Sequence, residues 1–208
     1  RPVVLTAGGH RVLVWSVGSA SSGVPRSWAA GPRGPGVAFL NEDSHTDTDA
    51  LCERVRRVKQ PGDIAVVSVH WGSNWGYDVP RAHVRLAHRL IDSGVDVVHG
   101  HSSHHPRAIE IYRDRLVLYG CGDLINDYEG IGGNERFRDD LRLLYFARLD
   151  PTGGLDQLLM VPLRSRQMRL RLATEQDARW LHRALRKAGR RFGSRVDLAP
   201  DANRLLLR

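Results

Sequence analysis

The chain has 208 residues, of which 41% are hydrophobic, enough apolar material for the core of one domain or a little more. No apolar run approaches the ~20 residues of a membrane span. Cys52 and Cys121 stand too far apart for a disulfide framework or a CxxC zinc site, so both read as buried thiols. The formal net charge of +8 is mostly arginine, much of it beyond residue 160 in "RSRQMRLRL" and "RALRKAGRRFGSR". No aromatic-studded strand accompanies that charge, which argues against specific nucleic-acid binding and leaves a solvated basic surface or a tail that attracts an anionic polymer.

In chain order, "HRVLVWSVG" (10–18) reads as a buried strand and is followed by a long Gly/Ser/Pro-rich loop. Thr46 or Thr48 is placed to cap a helix whose apolar positions Leu51, Val55 and Val58 repeat at helical spacing, stopped by Pro61-Gly62. "IAVVSVHWG" is a second buried strand. "PRAHVRLAHRLIDSG" is a second helix, with Pro80 in its first turn and Gly94 closing it, and "VDVVHG" is a third strand. "AIEIYRDRLVLYG" predicts two short strands about Arg113-Asp114, and "LRLLYFARLD" and "LDQLLMVPL" an antiparallel pair about "PTGG". The last helix, "TEQDARWLHRALRKAG", opens with Thr174 and Asp177 at capping-box spacing. The reading divides the chain into a main unit over 1–165 and a basic extension with one helix over 166–208.

Strand, helix and strand over 64–99 form a βαβ unit, and its right-handed crossover makes the two strands parallel neighbours. Ligands gather at the carboxyl ends of parallel strands. There the sequence places His70 after one strand and "HGHSSHHP", residues 99–106, after the next. His70, His101 and His104 are therefore the expected metal ligands, with His101 and His104 also suited to proton transfer. Asp123, in "YGCGDLINDYEG", follows another apolar strand and is the candidate carboxylate, with Asn126 and Asp127 close behind. Trp71, Trp75 and Tyr77 are expected to flank a substrate, Ser102 to donate to its anionic group and Arg107 to clamp it. Ser102 and Ser103 have no base partner in the sequence and make poor nucleophiles. His99 reads as strand-end packing, and His10, His45, His83, His88 and His182 as surface residues. Gly100, Gly120 and Gly122 read as turn glycines, since neither GxGxxG nor a P-loop occurs.

The stretches "VVSVHWGSNWGYDVP", "LIDSGVDVVHGHSSHHPRAIEIY" and "LVLYGCGDLINDYEG" resemble the second half of the CapA family. These are capsule or poly-γ-glutamate biosynthesis proteins related to calcineurin-like metallophosphoesterases. The order HWG, GHxxH, GCGD carries the resemblance, which runs from about residue 10 to about residue 165. It implies an α/β fold, the second half of an αββα sandwich, with a mixed sheet and helices on the outer faces. It also implies two divalent ions, manganese, zinc or iron, in the complete domain. The family's Gly-Asp, second acidic and Asn-His motifs are absent from this sequence. A dinuclear site needs roughly six or more protein ligands, so the expected partner is an acidic N-terminal half on the same or a separate polypeptide. The resemblance thus implies a metal-dependent hydrolase acting on an anionic polymer. A metal-independent peptide epimerase of the same fold, using His/Asp acid-base chemistry, and a non-enzymatic polymer-binding component are the alternatives.

Overall fold

The computed structural model describes residues 1–32, 34–126, 132–200 and 203–207. Two sheets and three helices make up an α/β fold. The first sheet has six strands: β1 (Val3–Ala7), β2 (His10–Gly18), β3 (Ile64–His70), β4 (Val97–His101), β5 (Ile109–Tyr112) and β6 (Arg115–Leu118). Their order is β1-β2-β3-β4-β6-β5. β2, β3, β4 and β6 are parallel, while β1 and β5 run antiparallel at the two edges. This is the mixed sheet the resemblance implied. β1 went unread in the sequence; it is a fully exposed edge joined to β2 through Gly8-Gly9, both at positive φ.

Helices α1 (His45–Val58) and α2 (Arg81–Asp92) cover one face of this sheet. Leu51, Cys52 and Val55 from α1 and Leu86, Ala87, Leu90 and Ile91 from α2 pack on Leu13, Trp15, Val17, Ala65, Val67, Val69 and Val98. The strand residues alternate as a pleat requires, odd positions inward on β2 and β3. The cap of α1 is Ser44, whose hydroxyl accepts from the Asp47 N–H at 3.2 Å. Neither expected threonine holds that place, because buried Thr48 instead donates back to the Ser44 carbonyl from inside the first turn. Between β5 and β6, Arg113 and Asp114 both take positive φ, the geometry of a two-residue hairpin.

The second sheet is antiparallel: β7 (Leu141–Leu149), β8 (Leu155–Arg166), β9 (Arg169–Leu172), β10 (Val196–Leu198) and β11 (Leu205–Leu207). β8 pairs β7 along its length, β11 near its start and β9 near its end. Helix α3 (Glu175–Gly189), capped by the Thr174/Asp177 box, packs Leu181 and Leu185 on Leu141, Leu158, Met160 and Leu205. Ile109, Leu116 and Leu118 join that core and tie the second sheet to the β5/β6 edge of the first. Past residue 165 the chain thus carries three short strands as well as the expected helix. Among the described residues no helix is long and apolar enough to cross a membrane.

The face of the first sheet opposite α1 and α2 grades from apolar to polar along the strands. Val12 pairs Ile64; Val14 aligns with Val66 and Val97; Ser16 with Ser68 and His99; Gly18 with His70 and His101. Apart from buried Gly18, all these residues remain at least partly exposed. The carboxyl ends of three parallel strands therefore open onto one imidazole-bearing edge.

Candidate functional site

The parallel register sets His70 directly beside His101, with ring centroids 5.0 Å apart. His99, one pleat back on the same face, lies 5.5 Å from His101. Ser68 sits between them: its Oγ is 3.1 Å from His99 Nδ1 and 3.4 Å from His101 Nδ1. One hydroxyl thereby orients both rings. No sequence signal marked Ser68, since a serine in a strand becomes informative only when pairing sets it against two imidazoles.

His99 and His101 line a concavity of about 540 Å³ whose other walls are apolar, including Val66, Leu118, Leu143 and Leu158. Burial there holds the His101 imidazolium down to a pKa of about 4, reinforced by the neighbouring His99 and His70 charges. Burial also lowers the pKa of His70 and of His99. At neutral pH these rings are uncharged, the state in which imidazole can ligate a cation or accept a proton.

His104 points to a different partner. Its Nδ1 donates to the Asp123 carboxylate at 3.0 Å, and Asn126 donates to the same carboxylate at 3.0 Å. The Asp123 carboxylate orients the His104 ring through Nδ1. Asp127, expected close behind, lies outside the described residues. Trp75 and Tyr77 are half-buried beside the pair: Trp75 lies 5.3 Å from His104, and Tyr77 packs edgewise on His105. The three histidines expected to share a metal are thus divided into a His70/His101 pair and a His104/Asp123 pair. Among the described residues no group of three or more His, Cys, Asp or Glu side chains is placed to hold an ion. His70 and His101 fit one side of a divalent ion's coordination shell; a complete shell is not present in the described residues.

Several expected contacts with substrate turn out to hold the scaffold. Trp71 is 2% exposed, stacks on His83 at 4.6 Å and donates to the Tyr119 carbonyl, so its ring belongs to the core. Arg107 is buried as well. Its Nη2 donates to the Ser73 carbonyl at 2.7 Å and the Trp75 carbonyl at 3.3 Å, bracing the loop after β3 from within. Ser102 Oγ donates to the Gly72 carbonyl, and its backbone holds φ 140°, a strained value for a residue with a side chain. Together with the His104 N–H on the Asn74 carbonyl, these bonds stitch the loops after β3 and β4 into one rim. His105 is fully buried: it accepts from the Gly76 N–H and donates to the Pro106 carbonyl. Gly100 cannot carry a side chain, because a Cβ would stand 2.6 Å from the Leu118 carbonyl oxygen.

Two further residues depart from the sequence reading: His83, expected at the surface, is buried, and Arg142 carried no expectation. His83 is 2% exposed and lies 3.7 Å from the Glu42 carboxylate. Burial of Glu42 opposes its ionisation, but hydrogen bonds from His83, Ser21 and Ser19 outweigh it and hold the pKa at about 2. Arg142 is 4% exposed, only 3.8 Å from Asp123, and its Nε and Nη1 have no hydrogen-bond partner among the described residues. A buried cation with two unsatisfied donors beside His104/Asp123 is suited to an oxyanion or carboxylate.

The family model for the bacterial capsule synthesis protein PGA_cap matches residues 1–128. A "Probable polyglutamine synthesis accessory protein" of Mycobacterium tuberculosis is 53% identical over 204 residues, covering 97% of this chain and 54% of that relative. The "PGA biosynthesis protein CapA" of Bacillus subtilis is 28% identical over 131 residues, covering 63% of this chain and 32% of its own length. The "Capsule biosynthesis protein CapA" of Bacillus anthracis is 27% identical over 133 residues, covering 62% and 29%. The chain spans about half the length of the mycobacterial relative. With a family model matched over more than half of its length, the chain belongs to the bacterial capsule synthesis protein family that includes CapA.

Proposed function

We propose that this chain supplies the histidine side of a hydrolase-type site that acts on a capsule-type anionic polymer. The remaining carboxylate ligands come from the part of the family's length that this chain does not span. The observation that carries the reading is the pairing of two desolvated, neutral imidazoles, His70 and His101, at adjacent parallel strand ends near a His104/Asp123 pair. In this reading His70 and His101 face the ion, and His104, oriented by Asp123, exchanges a proton with the leaving group. Divalent manganese, zinc or iron, one or two ions in the complete site, would polarise a phosphoryl or acyl oxygen. Arg142 draws the substrate's anionic group toward Asp123 and His104.

The test is calorimetric titration of the full-length protein with manganese and with zinc, alongside His70→Ala and His101→Ala. The reading expects tight binding that each substitution weakens at least ~10-fold, and hydrolysis of the polymer that chelator abolishes. Full activity in excess chelator, with solvent deuterium entering a peptide substrate, would replace this reading with the epimerase. Salt-dependent binding of polyglutamate with no turnover at all would replace it with the non-enzymatic role.

A further inference from the structure

The imidazoles of the candidate site are not held alike. Ser68 orients His99 and His101, and Asp123 orients His104. Among the described residues no hydrogen bond holds the His70 ring itself, which meets the His101 ring at 5.0 Å. Its direction therefore follows the main chain that carries it.

That main chain is gripped from the α1/α2 side of the sheet. The His70 carbonyl accepts from the Ser19 N–H at 3.0 Å and from Ser22 Oγ at 2.9 Å. Two residues on, the Gly72 N–H donates to Ser21 Oγ at 2.9 Å. Gly72 takes φ 77°, and His83 closes over it: a Cβ there would stand 3.2 Å from His83 Cε1. The His83 ring also stacks on Trp71 at 4.6 Å, with 6° between the planes. Serines from the loop after β2 and one imidazole from α2 thus clamp the turn that follows His70.

Glu42 organises the clamp. Its carboxylate takes hydrogen bonds from His83, Ser21 and Ser19 together. Those donors also meet one another, since Ser21 Oγ lies 2.9 Å from Ser19 Oγ and 3.3 Å from His83 Nε2. The Glu42 side chain is only 9% exposed, and its Oε2 has no partner among the described residues. Such a group is a poor choice for stability alone, because desolvation opposes it and well-packed apolar residues are often as stable. A carboxylate can hold three converging donors in one arrangement, which no apolar side chain can do.

We propose that the buried Glu42–His83 pair is a positioning device for the candidate site: through Ser19 and Ser21 it fixes the backbone from His70 to Gly72 and so aims the His70 ring beside His101. The ion that His70 would meet belongs to the functional reading above, on which the proposal rests; the aim of the ring is measured without metal.

Full-length protein carrying isotope-labelled histidine gives ring proton–nitrogen spectra, in which His70→Asn identifies the His70 peaks. Without metal, Glu42→Gln should displace or broaden the His70 peaks and leave those of His104 in place. His83 can remain neutral, so the substitution strands no charge, and the melting temperature should stay within about 4 °C. Ser21 is exposed, so Ser21→Ala removes little core packing; it should move the same peaks, and Ser21→Thr, which restores the hydroxyl, should return them. His88→Gln, on the same helix but paired with Glu110 at 3.0 Å, should leave them unmoved. In manganese titration Glu42→Gln should weaken binding roughly 10-fold, the low end for groups that orient a ligand from behind. If the wild type binds no metal while the metal-free peaks move as stated, the hydrolase reading falls and the positioning stands. Should Glu42→Gln fail to fold, movement in Ser21→Ala with recovery in Ser21→Thr sustains the proposal. Unmoved His70 peaks in Ser21→Ala and in folded Glu42→Gln, or an equal displacement in His88→Gln, would overturn it.

Discussion

Arg142→Met should make this protein more stable and less active. The 3.8 Å contact of Arg142 with Asp123 is worth about 4 kcal/mol of Coulomb attraction at the effective dielectric constant of a protein site. Against it stand several kcal/mol for desolvating the guanidinium and about 1–3 kcal/mol for each unsatisfied donor, here Nε and Nη1. Asp123 would not be stranded by the substitution, since it keeps the His104 and Asn126 hydrogen bonds and partial exposure. The opposing terms exceed the attraction, so a methionine of similar length should gain about 1–3 kcal/mol. For a chain of this size that is a rise of roughly 2–10 °C in melting temperature, readable by calorimetry and by urea unfolding. Activity on an anionic substrate should fall at least ~10-fold over the same substitution. A destabilisation of more than about 1 kcal/mol would refute the reasoning, because it would mean that the guanidinium is well satisfied and structural.

His101 makes stability depend on pH in a defined window. Its folded pKa of about 4 lies below the unfolded value near 6.5, so between those values the unfolded chain binds more protons. Stability is lost as pH falls from 6.5 toward 4 and is unaffected above 6.5. The limit is about 3 kcal/mol, reduced to about 1–2 by solvent screening; between pH 7 and 4.5 the unfolding free energy from urea titration should fall by that much more in the wild type than in His101→Asn. Asp123→Asn frees the His104 ring and should cut turnover on the order of 100-fold while leaving the melting temperature nearly unchanged; a steep fall in stability would make Asp123 structural. Gly100→Ala forces a methyl against the Leu118 and Tyr119 carbonyls and should cost more than about 2 kcal/mol; a neutral result in unfolding titrations would show that β4 can shift. The apolar patch of Val12, Val14, Ile64 and Val66, with exposed Val3 and Leu5 at the edge, should bind a hydrophobic dye, and Val14→Thr with Val66→Thr should reduce that signal; dye silence in the wild type would mean that the patch is covered.

Local chemistry was readable from the chain itself. Apolar alternation in "IAVVSVH" marks β3, helical spacing of Leu51 and Val55 marks α1, and the Thr174/Asp177 box opens α3, because each depends on neighbours within a few residues. The βαβ handedness rule then made His70 and His101 neighbours before any coordinates, and the register confirms it. What failed was burial. Trp71, on the Gly-broken loop after β3, and Arg107, in the segment after β4, read as substrate contacts, yet both face inward: the loop folds back over the sheet end, with the ring and the guanidinium beneath it. His83 reads as one more polar residue on an amphipathic helix until Glu42 arrives from 41 residues upstream.

Short strands escaped for a related reason. β1, β10 and β11 are three to five residues long and gain stability from the partner they pair with, not from their own pattern. The division of the site is also a tertiary outcome. Spacing alone set His101 and His104 on one turn, suited to one ion, whereas the approach of Asp123 at the end of another strand turns His104 away into its own hydrogen-bonded pair. Arg142 lies in "LRLLYFARLD", where no local pattern sets it apart, and the packing of β7 beside Asp123 buries it. The residue types of the candidate site were set by the sequence; which imidazole meets which partner, and which cation loses water, was decided only when separate segments met at one sheet edge, because desolvation and pairing depend on contacts that no local pattern encodes.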